Sequence, residues 1–483
     1  MTLAGALIFA AFALLLAGLS RFSWFVKFRA PLLLAASVLA VYWLQPALPI
    51  RGLDFWLPTL TLAIAVWGWM LTAGRPQTGA SAWRQSLPTL LLVIGLVLGV
   101  ALTRYLSAAG VITAARPPQT LQVMIFVAAS ALLLFLISRI RPRPLAWLWI
   151  ATGEIILLFA VLKLPSLTTL TAGGLRLLTG QDAGLAGAFD IRWLGFSYIA
   201  FRLIHTLRDR QSGRLPDVTL QEYLIYLIFF PTLVAGPIDR IERFVKDLRN
   251  TAPAQASQVG EGMKRFVTGM FKKFVLADLL AMVSLSAQNA AQIHGAGWMW
   301  LSVYAFTLQI FLDFSGYTDI AIGTGQFMGF TLPENFHSPY LKPNLTQFWN
   351  NWHITLTTWF RSYFFNPLTR AMRSAKRPVP VIWVILIGQL ATMVLIGMWH
   401  GMTWNFIAWG AWHGIGLFAN NRWSEWQKRR NAGIEALRTP GRLGSAVSTF
   451  ATFNFVALGW VWFALPTIPL SLSVFSRLFG GAG

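Results

Sequence analysis

Six histidines, seventeen carboxylates and no cysteine set the chemistry open to this chain. Four of the histidines, His337, His353, His400 and His413, fall within residues 337–413. His353 stands in Phe348-Trp-Asn-Asn-Trp-His-Ile-Thr-Leu356, and His400 in Gly397-Met-Trp-His-Gly401 at the end of the apolar run 381–399. Imidazole, with an ordinary pKa of about 6.5, is the side chain suited to accept a proton near neutral pH. A histidine at the end of an apolar run is either an interfacial hydrogen-bonded residue or a functional one, because ionisable groups near membrane depth are costly and tend to be retained for function. His400 leans to the second reading. Gly401 leaves room for another group to approach the backbone, and Trp399, Trp404 and Trp409 are available to exclude water. His413, in Trp412-His-Gly414, reads as packing, His205 as a residue at a cytoplasmic helix end, and His294 as a loop residue.

Carboxylates inside apolar sequence are the second signal. Asp313 and Asp319 lie in Phe311-Leu-Asp-Phe-Ser-Gly-Tyr-Thr-Asp-Ile-Ala-Ile-Gly323, where Gly316 and the hydroxyls of Ser315 and Tyr317 suggest an unwound, hydrogen-bonded turn. A structural polar network is favoured over direct chemistry there, since membrane carboxylates are commonly paired, and Arg361 is a candidate partner. Trp349, Asn350 and Trp399 flank the histidines and complete the candidate polar set. Gly236-Pro-Ile-Asp-Arg240 reads as a helix stop.

Other chemistries are disfavoured. Without cysteine there is no disulfide, thiolate metal site or acyl-cysteine intermediate. No His-Glu-x-x-His, Gly-x-Ser-x-Gly or Gly-Lys phosphate-loop pattern occurs, nor a histidine followed by aspartate five residues on. His353 and His400 are not at a helical metal spacing, so no metal is expected.

The elements that must position these residues are helices in a bilayer. The chain is 56% hydrophobic and only 12% charged, where a soluble domain has about 25% charged residues. Its charge of +22 would suit nucleic acid, but the basic residues are clustered between apolar runs, as at 139–143, 208–210, 272–273 and 428–430, which is the pattern of cytoplasmic loops. Nucleic-acid binding is therefore not expected. Segments 3–20, 31–49, 55–73, 86–103, 118–138 and 144–163 are long enough to span. Flanking charge places the N-terminus outside and residues 21–30 in the cytoplasm, with Arg75, Arg84, Arg139, Arg141 and Arg143 also inside. Arg51, Arg104 and Arg116 fall outside in this scheme.

After about residue 164 the apolar runs shorten. Segments 193–207, 219–238, 299–312, 381–399, 403–420 and 447–465 span or partly span, and 263–282 and 348–365 read as interfacial or re-entrant stretches. Broken backbone at membrane depth requires burial in protein or a water-filled cavity, so the second half should enclose a polar cavity. The expected fold is all-α: a polytopic transmembrane protein with re-entrant and interfacial helices. Residues 1–143 are read as supporting helices and 144–483 as the catalytic membrane core.

Five segments add a resemblance. Phe229-Phe-Pro-Thr-Leu-Val-Ala-Gly-Pro-Ile-Asp-Arg240, Asp313–Gly323, Leu332-Pro-Glu-Asn-Phe336, Phe348–Leu356 and Met398-Trp-His-Gly401 occur in an order and spacing similar to that of the membrane-bound O-acyltransferases. The chain most resembles the bacterial branch holding the alginate O-acetylase membrane subunit and the teichoic-acid D-alanyl transferase, over about residues 145–470. The first 140 residues depart from that branch. The resemblance implies a central funnel with His353 and His400 facing it. It also implies an acyl group taken from a cytoplasmic thioester, either acetyl-CoA or an acyl carrier protein, and delivered to a hydroxyl reached from the other side. The acceptor would be an exported polysaccharide or a relay partner protein, at a bacterial inner (plasma) membrane, with no bound cofactor. His400 would be the base and His353 its orienter or the oxyanion donor.

Asp319 and the Leu458–Phe463 tail look like the acetylase side, whereas Gly236–Arg240 followed by Arg243-Phe244 looks like the D-alanyl side. Acetyl is the favoured group. A transporter or flippase and a non-catalytic scaffold of a polysaccharide export complex are the competing classes. No internal repeat supports transport, and a scaffold would tolerate loss of both histidines.

Overall fold

The computed structural model describes residues 2–72, 80–106, 111–139, 145–430 and 441–481. Arg75, Arg141 and Arg143, expected on the cytoplasmic side, lie outside the described residues. Helices dominate, and the described residues hold no strand; one isolated antiparallel bridge pairs Phe336 with Trp352. The chain divides into two compact units, Met1–Phe266 with Ile320–Leu332, and Val267–Asp319 with Pro333–Gly483.

In the first unit the helices are α1 (Leu3–Leu19), α2 (Val26–Leu44), α3 (Leu53–Thr72), α4 (Ala80–Leu102), α5 (Thr120–Arg139), α6 (Leu145–Lys163), α7 (Pro165–Leu178), α8 (Phe196–Gln211), α9 (Leu220–Ile228) and α10 (Ile241–Arg249). Then come α11 (Ala256–Phe271), α12 (Asp278–Ala281), α13 (Ala296–Phe327), α14 (Leu345–Asn351), α15 (Ile354–Phe360), α16 (Asn366–Arg373), α17 (Val381–His400), α18 (Trp404–Arg430), α19 (Arg442–Ala464) and α20 (Ile468–Leu478). Among the described residues, five helices are long and apolar enough to cross a bilayer: Ser23–Leu44, Leu53–Thr72, Arg84–Tyr105, Val381–His400 and Arg442–Ala464. Trp147–Lys163 with Pro165–Leu178, bent by 92° at the break before Pro165, is a sixth if it forms one broken span. Proline lacks the N–H that would continue the ladder, which accounts for the bend.

Buried charges in the first unit are satisfied locally. Arg176 pairs with Asp190 at 2.7 Å, and Arg202 donates to the carbonyl of Leu227 and to Thr232 Oγ1. His205 is not at an exposed helix end. It lies inside α8, 1% exposed, with Nε2 2.9 Å from Asp209 Oδ2 and Nδ1 3.2 Å from the Tyr226 hydroxyl. A carboxylate one turn along the same helix makes that burial tolerable. His205, Asp209 and Glu242 bring their ligand-type atoms within 4.8 Å of one another.

Segment 219–238 is not a continuous span. Helix α9 stops at Ile228 and a short 3₁₀ turn, Phe230–Thr232, follows. Gly236–Arg240 is consequently not a helix stop but the approach to α10, whose N-cap is Arg240. The reason is Pro231, which cannot continue the α9 hydrogen-bond ladder.

In the second unit α17 and α18 form a close antiparallel pair built on small residues, as membrane helices use when there is no hydrophobic drive to bring them together. A Cβ on Gly397 would lie 2.1 Å from the Phe406 carbonyl oxygen, and one on Gly410 2.5 Å from that of Met393. Gly410→Val is therefore expected to destabilise the protein by about 1–3 kcal/mol or more, the usual cost of overpacking, seen as a lower thermal midpoint in detergent. An unchanged midpoint would mean that the helices part without cost.

The stretch 348–365, read as interfacial or re-entrant, is broken into short pieces. Helices α14 and α15 are separated at Trp352–His353, and a wider π-type turn, Arg361–Phe365, leads into α16. A second π-type turn, Lys272–Ala277, follows α11.

Candidate active site

The site is built in the second unit, from the end of α17 and the α14–α15 corner. His400 is the last residue of α17, and Gly401 follows in extended conformation. The room offered by Gly401 is taken by an aromatic ring: a Cβ there would lie 2.6 Å from Phe406. The half-buried His400 imidazole is surrounded by the rings of Trp399 (4.5 Å between centroids), Phe463 (4.9 Å), Trp409 (5.6 Å) and Phe406 (6.1 Å).

His353 caps α15 with φ 44° and ψ 54°, a left-handed conformation that costs an L-residue about 1–2 kcal/mol. Asn335 imposes this corner. Its carbonyl accepts from Ile354 N at 2.9 Å, and its Oδ1 accepts from Thr355 Oγ1 at 2.6 Å and Thr355 N at 3.3 Å. His337 N donates to the Asn351 carbonyl at 3.1 Å, so residues 335–337 zip along 351–355. The His353 ring packs edge-on against Phe314 at 4.6 Å and lies 6.3 Å from Trp399. Trp399 thus touches both histidines.

His353 is 3% exposed, and neither ring nitrogen has a hydrogen-bond partner among the described residues. Burial, with His400 nearby as a smaller effect, holds its pKa well below the ordinary imidazole range, and the ring is neutral at pH 7. Next to His400, Trp409 joins Trp349 and His413 in a tight aromatic layer, with Trp349 5.7 Å from Trp409 and 5.1 Å from His413. The indole N–H groups of Trp349 and Trp409 and both nitrogens of His413 have no partner among the described residues.

The other candidates fall into separate groups. Asp313 and Asp319 lie on α13, which runs unbroken through Gly316. The expected unwound turn is absent because Gly316 serves packing: a Cβ there would be 2.8 Å from the Gly269 carbonyl oxygen and 2.9 Å from Lys273 N. The close approach lets Lys273 pair with Asp313, and Lys272 with Asp319 at 2.7 Å. Arg361 is not the carboxylates' partner. It donates to Asn350 Oδ1, since the adjacent lysines already hold Asp313 and Asp319. The Ser315 hydroxyl is buried without a hydrogen bond among the described residues, and Tyr317 is buried on the same helix. No local sequence signal gives Asn335, Lys272 and Lys273 these roles.

Two cavities lie in this unit. One of about 150 Å³ is lined by Trp349, Asn350, Thr357, Arg361, Gln389 and Thr392 among others. The other, of about 560 Å³, is lined by Thr403, Phe406 and Phe463, so two of the rings packed on His400 also form its wall.

Known proteins match this chain in the same region. A model of the membrane-bound O-acyltransferase family matches residues 119–436. The chain is 31% identical to the teichoic acid D-alanyltransferase of Streptococcus thermophilus over 57% of its own length and 68% of that protein's. It is 33% identical to the probable alginate O-acetylase AlgI of Pseudomonas putida over 59% of its length and 55% of that protein's. The teichoic acid D-alanyltransferase of Bacillus subtilis is 31% identical over 57% of the chain and 69% of that protein. The chain thus spans about two thirds of the D-alanyltransferases and about half of the acetylase. With a match over more than half of its residues that takes in His353, His400 and the helices that carry them, this membrane-integral chain belongs to the membrane-bound O-acyltransferase family, whose members named here transfer acyl groups.

Proposed function

We propose that the protein moves an acetyl group from a cytoplasmic thioester to a hydroxyl of an exported polysaccharide or a relay partner, at the bacterial inner membrane. The observation that carries this reading is the meeting of His400 and His353 around Trp399, with Phe406 and Phe463, two rings packed on His400, forming a cavity wall. Arg370, Arg373, Lys376 and Arg377 precede α17, Lys428–Arg430 end α18, and Arg442 begins α19. Under the positive-inside rule these ends are cytoplasmic. The smaller cavity is lined by Gln389, Thr392, Met393 and Ile396, which precede His400 along α17 and so lie on the basic, donor side. The larger cavity lies at the opposite ends of the same helices and serves the acceptor.

In the step itself, the acceptor oxygen attacks the thioester carbonyl carbon as His400 takes the hydroxyl proton. The tetrahedral oxyanion is met by N–H donors, for which the Trp349 and Trp409 indoles and a neutral His353 are the candidates. The C–S bond then breaks, and the proton returns through His400 to the leaving thiolate. No covalent enzyme intermediate is needed. The donor is acetyl-CoA or an acyl carrier thioester, for which the basic cytoplasmic ends supply attraction.

Acetyl is preferred over D-alanyl on electrostatic grounds. Among the described residues, the lining of the donor-side cavity includes Arg361 but no carboxylate. A D-alanyl ammonium would face a guanidinium with no counter-charge, whereas an acetyl group carries no charge. Mass spectrometry of envelope polymers from cells with and without the protein tests the choice. Loss of O-acetyl esters is the expected result. Unchanged acetylation together with loss of D-alanyl esters would overturn it in favour of the second group.

A further inference from the structure

The structure points to an uncharged sugar as the acceptor, which we infer from the larger cavity; the inference rests on the acyl-transfer reading above. At about 560 Å³ this cavity is of the size that takes a small ligand. Its walls carry Gln288, Gln309 and Thr403 with the rings of Phe306, Phe406 and Phe463, and none of the described residues that line it is charged. Amides and hydroxyls that both donate and accept, set between aromatic faces, match the alternating hydroxyl edges and apolar faces of a sugar ring. They offer nothing to neutralise a carboxylate or phosphate.

The charges near this end do not change that balance. Arg477 of α20 is committed to main-chain carbonyls, donating to Ala290 at 2.7 Å and Ile293 at 3.4 Å. Asp278, one turn before the lining residue Ala281, is exposed and adds negative charge. A uronate or phosphate unit seated against Phe406 and Phe463 would therefore give up part of its hydration without gaining a cation. A neutral glycan loses only hydroxyl hydration, which the amides replace.

The test uses the full-length protein in liposomes, with acetyl-CoA and an acetylated carrier protein offered as donors. A neutral β-glucan oligosaccharide and an oligouronate of equal length compete as acceptors, and released thiol and acylated sugar are both measured. The neutral sugar is expected to be acylated about tenfold faster or more, a conservative reading of an unpaired charge. Gln309→Lys is expected to raise the uronate share. Equal or preferred uronate acylation, or transfer only to a co-purifying protein, with thiol release still dependent on His400, would overturn the neutral-sugar inference while leaving acyl transfer standing. Absence of His400-dependent thiol release with every donor and acceptor would overturn the acyl-transfer reading itself, and this inference with it.

Discussion

His400→Ala is expected to lower acyl transfer by about 10²–10⁴-fold, the range contributed by a positioned general base, with the protein still inserted and folded. The residue closes α17, and its ring is only half-buried among Trp399, Phe406, Trp409 and Phe463. Truncation there leaves the α17–α18 glycine contacts untouched. Thiol release from a thioester donor, measured beside a thermal melt in detergent, separates the two effects. Retained turnover at wild-type rate would remove His400 from the chemistry and favour a scaffold. An equal loss of stability would reassign it to packing.

The second large effect is expected at His353, where backbone and side chain can be separated. At φ 44°, glycine avoids the left-handed penalty that alanine still carries. His353→Gly is therefore expected to be more stable than His353→Ala by about 1 kcal/mol, the reverse of the order found in an ordinary helix. Both variants should lose about 10²-fold or more in turnover if the imidazole orients the base or steadies the oxyanion. Wild-type turnover in the glycine variant would make His353 a packing residue, and alanine more stable than glycine would contradict the corner described here. Strain of this kind collects at functional sites when surrounding contacts over-determine it, and Asn335, with bonds to both Ile354 and Thr355, supplies those contacts.

How far these residues could be read without a structure depends on the range of the forces involved. Apolar run length is local and additive, so membrane helices such as Leu53–Thr72 and Val381–His400 follow from composition alone. Amphipathic composition is local too and marked 348–365 as an interfacial or re-entrant stretch, but its division into two short helices and a π-type turn was not legible there. Glycine is ambiguous by nature, because a missing Cβ serves a turn or a close contact equally well. Gly316 read as a break and proved to be a contact point inside a continuous helix, since the backbone around Gly269 and Lys273 that it admits lies far away in sequence.

Charge pairing is undetermined for the same reason. Nothing in the one-dimensional order of residues couples Asp313 to Lys273 or Arg361 to Asn350, and Coulomb attraction depends on separations that only packing fixes. His205 shows the intermediate case, with Asp209 one helical turn away and visible in sequence, but its burial against Tyr226 set by the fold. The sequence by itself determined a helical membrane protein, and it pointed to His400 by its setting and to His353 through the family-like motif that carries it. The tertiary structure alone decided that Trp399 joins them, that Asn335 holds His353 in a left-handed corner, and that two of the rings packed on His400 wall a cavity, because each depends on contacts between segments distant in the chain.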